Sequence, residues 1–216
     1  MRSTAEIIFK ELAGLAVLDL GGVGYGESNP YEKEVREAWS RTKQRTIVDC
    51  PSRADCRINL NQPPLPELNG RQWDITVAFD VLEQLNHPLE VLRWIPTERL
   101  IVKVPNALSL LARQREIKRR FGHLFSFTPY TASVLLRQAG WHVERVYFSF
   151  GDGSFLCRMI NLFGSRFPSY IGTGIVFHCT RVSDESSTCA NCIILEVDSF
   201  VPGPTSLSEG RLVHAS

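Results

Sequence analysis

Trp73-Asp74-Ile75-Thr76-Val77-Ala78-Phe79-Asp80-Val81-Leu82-Glu83-Gln84-Leu85-Asn86-His87-Pro88 is the stretch on which the fold of this chain turns. Its first part, Asp74 to Phe79, is a short apolar run of the kind that forms a strand buried on both faces. Asp80 ends the run. His87-Pro88 then opens a new element, because proline suits the first position of a helix. A buried strand that closes on a carboxylate and hands over to a helix is a unit of an open α/β sheet, and ligands of such sheets gather at the carboxyl ends of the strands.

The same unit recurs on either side. Upstream, Ala16-Val17-Leu18-Asp19-Leu20 is an apolar run closing in glycines, and Thr46-Ile47-Val48-Asp49 is a second. The polar, helix-compatible segment Tyr31 to Arg41 between them completes a βαβ unit. Cys56 to Leu60 predicts a third strand, and the proline-rich Gln62 to Pro66 after it predicts a loop, since proline removes backbone donors. Downstream, Leu100-Ile101-Val102-Lys103-Val104 stops at Pro105-Asn106. Thr128 is a natural N-cap with Pro129 behind it, and Gly140 is the matching C-terminal stop. Trp141 to Phe150 and Ile175 to Val182 read as further strands, joined by the Gly-, Ser- and Phe-rich segment Gly151 to Gly174. An ordered domain is expected over residues 1–182, with an irregular, polar tail over 183–216. There is no internal repeat.

A chain of 216 residues can bury a sizeable core in one domain. Its 24 basic and 23 acidic residues leave a formal charge of +1, too little field to hold a polyanion, so no nucleic-acid partner is expected. No apolar run approaches the roughly 20 residues of a membrane span, nor does one near Met1 fit a secretory signal. The six cysteines are scattered rather than dense, which fits a reducing, cytoplasmic setting. The oligomeric state is left open.

Asp19-Leu20-Gly21-Gly22-Val23-Gly24-Tyr25-Gly26 follows directly on a strand, so the backbone can turn sharply and approach a ligand without Cβ hindrance. A plain strand-to-helix turn needs the same residues. The dinucleotide pattern G-x-G-x-x-G fits no register, because Glu27 stands three after Gly24, and a nicotinamide cofactor is thereby disfavoured. An acid just ahead of the glycines suits a ligand with an ammonium group. Asp49, at the next strand end, can accept from two vicinal hydroxyls of a ribose, or serve as a turn residue. Asn59 can accept from an adenine amino group, and Leu60 can pack on the ring.

The segment Trp73 to Pro88 resembles the fourth-strand signature of class I S-adenosylmethionine-dependent methyltransferases, F-D-x-V-x-x-x-D-V-L-E-H-L-x-D-P. Three further pieces fall in the family's order: Val17 to Gly22 resembles its first motif, Val102 to Asn106 its fifth strand, and Phe121-Gly122-His123-Leu124 with Phe127-Thr128 the approach to a helix closing in Ala139-Gly140-Trp141. The similarity is greatest to the small-molecule and methionine-biosynthesis-like subfamilies. It implies a Rossmann-like, doubly wound α/β fold with a mainly parallel seven-stranded sheet whose last strand is antiparallel. It also implies methyl transfer from S-adenosyl-L-methionine to a small-molecule, sugar or lipid-linked acceptor. By the same resemblance Asp19, Gly21, Gly22 and Gly24 would hold the methionyl part of the cofactor, Asp49 the ribose, Asn59 and Leu60 the adenine. Phe79 and Asp80 would line the floor beneath the sulfonium.

The chain departs from the family at several places. Val23 and Tyr25 stand where the family has glycines, Gln84 where it often has histidine, Asn59 where it often has aspartate, and Pro96-Thr97-Glu98-Arg99 where it has Pro-Gly-Gly. A catalytically silent, methyltransferase-like binding module is therefore the alternative. If the acceptor is a hydroxyl, a base is needed, and His123 is the candidate, with His87 behind it as part of a helix entry.

Outside these motifs, Arg113, Arg115, Lys118, Arg119 and Arg120 form either a solvated helix face or a lid over an acidic acceptor. Cys189-Ala190-Asn191-Cys192 has metal-ligand spacing, but no second pair follows and no metal is expected.

Overall fold

The computed structural model describes residues 3–22, 32–50, 53–62, 65–68, 70–109, 123–149 and 172–182. Gly24, the basic run from Arg113 to Arg120, residues 151–171 of the expected connection and the expected tail with its two cysteines lie outside the described residues.

The elements run α1 (Thr4–Glu11), β1 (Ala16–Leu20), α2 (Glu32–Trp39), β2 (Gln44–Asp49), β3 (Cys56–Arg57), β4 (Ile75–Phe79), α3 (Pro88–Trp94), β5 (Arg99–Pro105), α4 (Pro129–Gln138), β6 (Trp141–Ser149) and β7 (Gly174–Arg181). They build one seven-stranded sheet in the order β3-β2-β1-β4-β5-β7-β6. The pairs β3-β2, β2-β1, β1-β4 and β4-β5 are parallel, whereas β7 runs antiparallel to both β5 and β6. This is the doubly wound α/β architecture with an antiparallel last strand that the motif order implies.

Side chains alternate between the sheet's faces with a period of two, and both faces are covered, so the strands read as unbroken apolar runs. Leu18, Ala78, Val102 and Phe177 face α3 and α4 and share a core with Leu92, Leu136 and Trp141. Their neighbours Val17, Val77, Ile101 and Val176 face the other way, onto Ile7 and Ile8 of α1, Leu12 just after it, and Val35 and Trp39 of α2. Trp141, with no exposed surface, donates its indole N–H to the Leu92 carbonyl at 3.0 Å and so ties β6 to α3.

The helix ends follow from local chemistry. Thr128 accepts from the Thr131 N–H at 3.1 Å, with Pro129 at the first position, and Gly140 leaves α4 at φ 87°, where a side chain would be strained. An additional helix, α1, begins with a Ser3–Glu6 capping box.

One expectation is corrected. The third strand is only two residues long, because Asn59 accepts from the Asn61 N–H at 3.0 Å and turns the chain away. The expected loop from Gln62 gives way at its last residue to one 3₁₀ turn, Pro66–Leu68, which proline can start because its first position needs no donor.

Candidate functional site

The strand order reverses direction between β1 and β4, which start one wing each of the sheet. Ligands of open α/β sheets bind in the crevice at that point. Gly21 stands there at φ 69°, its N–H donating to the Val48 carbonyl at 2.8 Å. A Cβ on Gly21 would collide with Val81 Cγ2, so the ends of β1 and β4 approach more closely than any other residue permits.

Gly22 is constrained by a different neighbour. A Cβ there would collide with Asp19 Oδ2 and fall 3.0 Å from Arg45 Nη2. Asp19 and Val17 share a face of β1, and Arg45 stands opposite Val17 on β2, so its guanidinium reaches the Asp19 carboxylate from the next strand. Nε and Nη2 lie 2.8 and 2.5 Å from Asp19 Oδ2, and the Arg45 guanidinium rests 4.1 Å above the Trp39 ring. Burial pushes the Asp19 carboxyl up to about 6, the Arg45 charge working against the rise. The acid that the resemblance gives to the methionyl ammonium thus already holds an internal cation.

The remaining expected residues divide into two groups. Asp49 closes β2 at the crevice, half-buried, with Oδ1 accepting from the Cys50 N–H at 2.7 Å. Asn59 is exposed nearby. Leu60, in contrast, is buried in the core beside Leu65 and Leu68, and the Phe79 side chain lies in the core facing α1 and α2.

Asp80 is the one described non-glycine residue with positive φ, at 54°. Its neighbours over-determine this conformation: its N–H donates to the Lys103 carbonyl at 2.8 Å, its carbonyl accepts from Gln84 Nε2 at 2.9 Å, and its Oδ2 pairs with Lys103 Nζ at 2.9 Å. Strain held in this way is commonly found at ligand sites.

Beyond Asp80, the 3₁₀ turn Leu82–Gln84 carries Glu83 inward to 1% exposure. Burial first, and the Asp80 charge second, push the Glu83 carboxyl up to about 8. His123 Nε2 lies 3.9 Å from Glu83 Oε1. The loop bearing His123 is bolted to the same turn, because the N–H groups of Leu124 and Phe125 both donate to the Glu83 carbonyl, at 2.8 and 3.2 Å. His87, on the other side of α3's start, makes no side-chain cap bond.

Sequence reasoning missed Arg45, Glu83 and Lys103. Lys103 had a visible signal, since a lysine inside a central apolar strand is costly unless it meets an anion. Glu83 had one as well, since it matches the glutamate of the family signature, whereas Arg45 gave none, because its pairing depends on a neighbour distant in sequence.

No protein-family model matches the chain, and no curated protein matches it. Solved structures do. A SAM-dependent methyltransferase from Archaeoglobus fulgidus is 15% identical at a TM-score of 0.57, with 81% of this chain and 88% of that chain covered. A possible histamine N-methyltransferase from Thermotoga maritima is 15% identical at 0.56, with 83% and 88% covered. A methyltransferase from Mesorhizobium loti is 12% identical at 0.54, with 82% and 95% covered. The chain therefore has the fold of the class I S-adenosylmethionine-dependent methyltransferases. Among the described residues, no helix is long and apolar enough to cross a membrane.

Proposed function

We propose that this chain is a methyltransferase that uses S-adenosyl-L-methionine and methylates a small-molecule, sugar or lipid-linked acceptor in the cytoplasm. The observation that carries this reading is the packing of Gly21 at φ 69° against Val81, which fixes a side-chain-free turn at the β1/β4 switch point with Asp49 and Asp80 on either side. The close turn gathers the ends of β1, β2 and β4 around one crevice, where Asp49 offers a carboxylate to ribose hydroxyls and Asn59 an amide to adenine. The cofactor, when bound, supplies an electrophilic methyl group on a sulfonium.

What the chain's own residues contribute is alignment and charge. Holding two reactants in attack geometry is worth about 7 to 11 kcal/mol at best. Asp80, locked by Lys103 and Gln84, gives the floor of the crevice a fixed carboxylate. His123 is the base in this reading when the acceptor is a hydroxyl.

One observation favours the silent binding module instead. Arg45 already pairs with Asp19, so this carboxyl does not need a cationic ligand. Isothermal titration calorimetry with S-adenosylmethionine and S-adenosylhomocysteine separates the two. Binding of both is expected, and absence of binding to either would overturn the methyltransferase reading.

A further inference from the structure

We propose that Glu83 is a positioning residue for His123, the two side chains forming one proton-sharing pair that faces the acceptor at the carboxyl end of β4. The inference rests on the methyltransferase reading for its role, but the pair itself rests on geometry. The Glu83 side chain is 1% exposed, and neither of its carboxyl oxygens has a hydrogen-bond partner among the described residues. A buried carboxyl left so is costly, and it persists where a second group can meet it. The His123 side chain, 8% exposed, is placed to do so. At 3.9 Å the contact is an ion-pair distance rather than a hydrogen bond, and catalytic contacts of this kind tighten when the ligand closes the site.

The charged neighbours decide how many protons the pair holds. Asp80 raises the affinity of Glu83 for a proton, and Lys103 opposes it from beyond Asp80. Gln84, in the same turn, is neutral. Burial and Asp80 prevail, so within the pair the Glu83 carboxyl holds its proton at neutral pH.

It becomes a base only when that proton leaves. His123 then presents its Nε2–H to the Glu83 carboxylate and its Nδ1 lone pair to the acceptor. In the step itself the acceptor O–H bond breaks, an Nδ1–H bond forms, and the oxygen keeps the electron pair with which it attacks the methyl group. The imidazolium is stabilised by the Glu83 carboxylate behind it. Methylation of a hydroxyl is accordingly expected to accelerate as pH rises through about 8.

The pair can be tested without knowing the acceptor. Side-chain carboxyl carbon shifts of the full-length protein are followed against pH for the wild type, Glu83→Gln and His123→Asn, with His123→Gln as the second variant should the first fail to fold. One carboxyl is expected to titrate well above the others, to vanish in Glu83→Gln, and to move by at least roughly half a unit when His123 is replaced, as expected for charges this close. A Glu83 midpoint unchanged in a folded His123 variant would overturn the pairing. Calorimetry with S-adenosylhomocysteine on the same samples keeps the two proposals apart. Binding with an unmoved midpoint rejects the pair alone, and a moved midpoint without binding rejects the methyltransferase reading alone.

Discussion

Replacing Arg45 by Met removes the guanidinium but keeps an apolar stem beside Trp39, and its cost is expected to depend steeply on pH. In the wild type the folded-state value for Asp19 is about 6 against 3.8 in the unfolded chain. The folded state therefore binds more protons across that window, and the contribution of this carboxyl is greatest below 3.8 and is lost as pH rises to about 6. The loss is about 3 kcal/mol at 1.36 kcal/mol per unit. Both causes that hold the value down come from Arg45, so without it Asp19 stays protonated to higher pH and the loss continues. At pH 5 Asp19 carries its proton in both proteins, and Arg45→Met should cost only the ring contact and a hydrogen bond, about 1 kcal/mol. Each unit above 6 then adds up to about 1.4 kcal/mol. By pH 8 the total reaches about 3 to 4 kcal/mol, within the range for breaking a buried ion pair. Urea unfolding followed by tryptophan fluorescence at pH 5, 6, 7 and 8 measures this directly. Asp19→Asn in the same background should restore most of the loss at pH 8, because an amide needs no cation. A cost equal at pH 5 and pH 8, or a double variant no more stable than Arg45→Met, would refute the reasoning.

Three further outcomes are expected. Gly21→Ala should destabilise by at least about 1 to 2 kcal/mol from the left-handed backbone alone, and adding Val81→Ala should relieve the Cβ contact but not that part; full rescue in thermal melts would show that φ at Gly21 costs nothing. Asp49→Ala should weaken S-adenosylhomocysteine binding in calorimetry while the melting temperature holds, since Asp49 is half-buried and bonds a neighbouring N–H; unchanged affinity would reduce it to a turn residue. Glu83 is raised from 4.5 to about 8 on folding, so wild-type stability should fall as pH rises across that window, and Glu83→Gln should flatten the dependence of the melting temperature on pH. An equal slope in both proteins would place the Glu83 proton elsewhere.

Much of the fold was legible in the sequence, for a physical reason that the strands make plain. Val17-Leu18, Val77-Ala78, Ile101-Val102 and Val176-Phe177 each put one apolar side chain on each face, so a sheet covered on both sides writes itself as continuous apolar runs. Thr128, Pro129 and Gly140 mark α4 through backbone chemistry that needs nothing beyond the next few residues. The site was legible only where a residue acts through its own backbone or at a strand end: Gly21 by its turn, Asp49 by its position, and Asp80 by closing β4.

The rest is decided by who meets whom across the sheet. Nothing local to Asp19 announces Arg45, which lies 26 positions away and reaches it only because β1 and β2 pair with Val17 opposite Arg45. Glu83 reads as a polar residue in a turn until Leu124 and Phe125 fold onto its carbonyl and bring His123 to its carboxylate. Sequence by itself determined the sheet, its caps and the end of the sheet at which the glycine turn and the strand-end carboxylates gather, because those follow from side-chain periodicity and backbone sterics. Only the tertiary structure decided which carboxylates are paired and which hold protons, because charge states follow from burial and from neighbours that the chain brings together on folding.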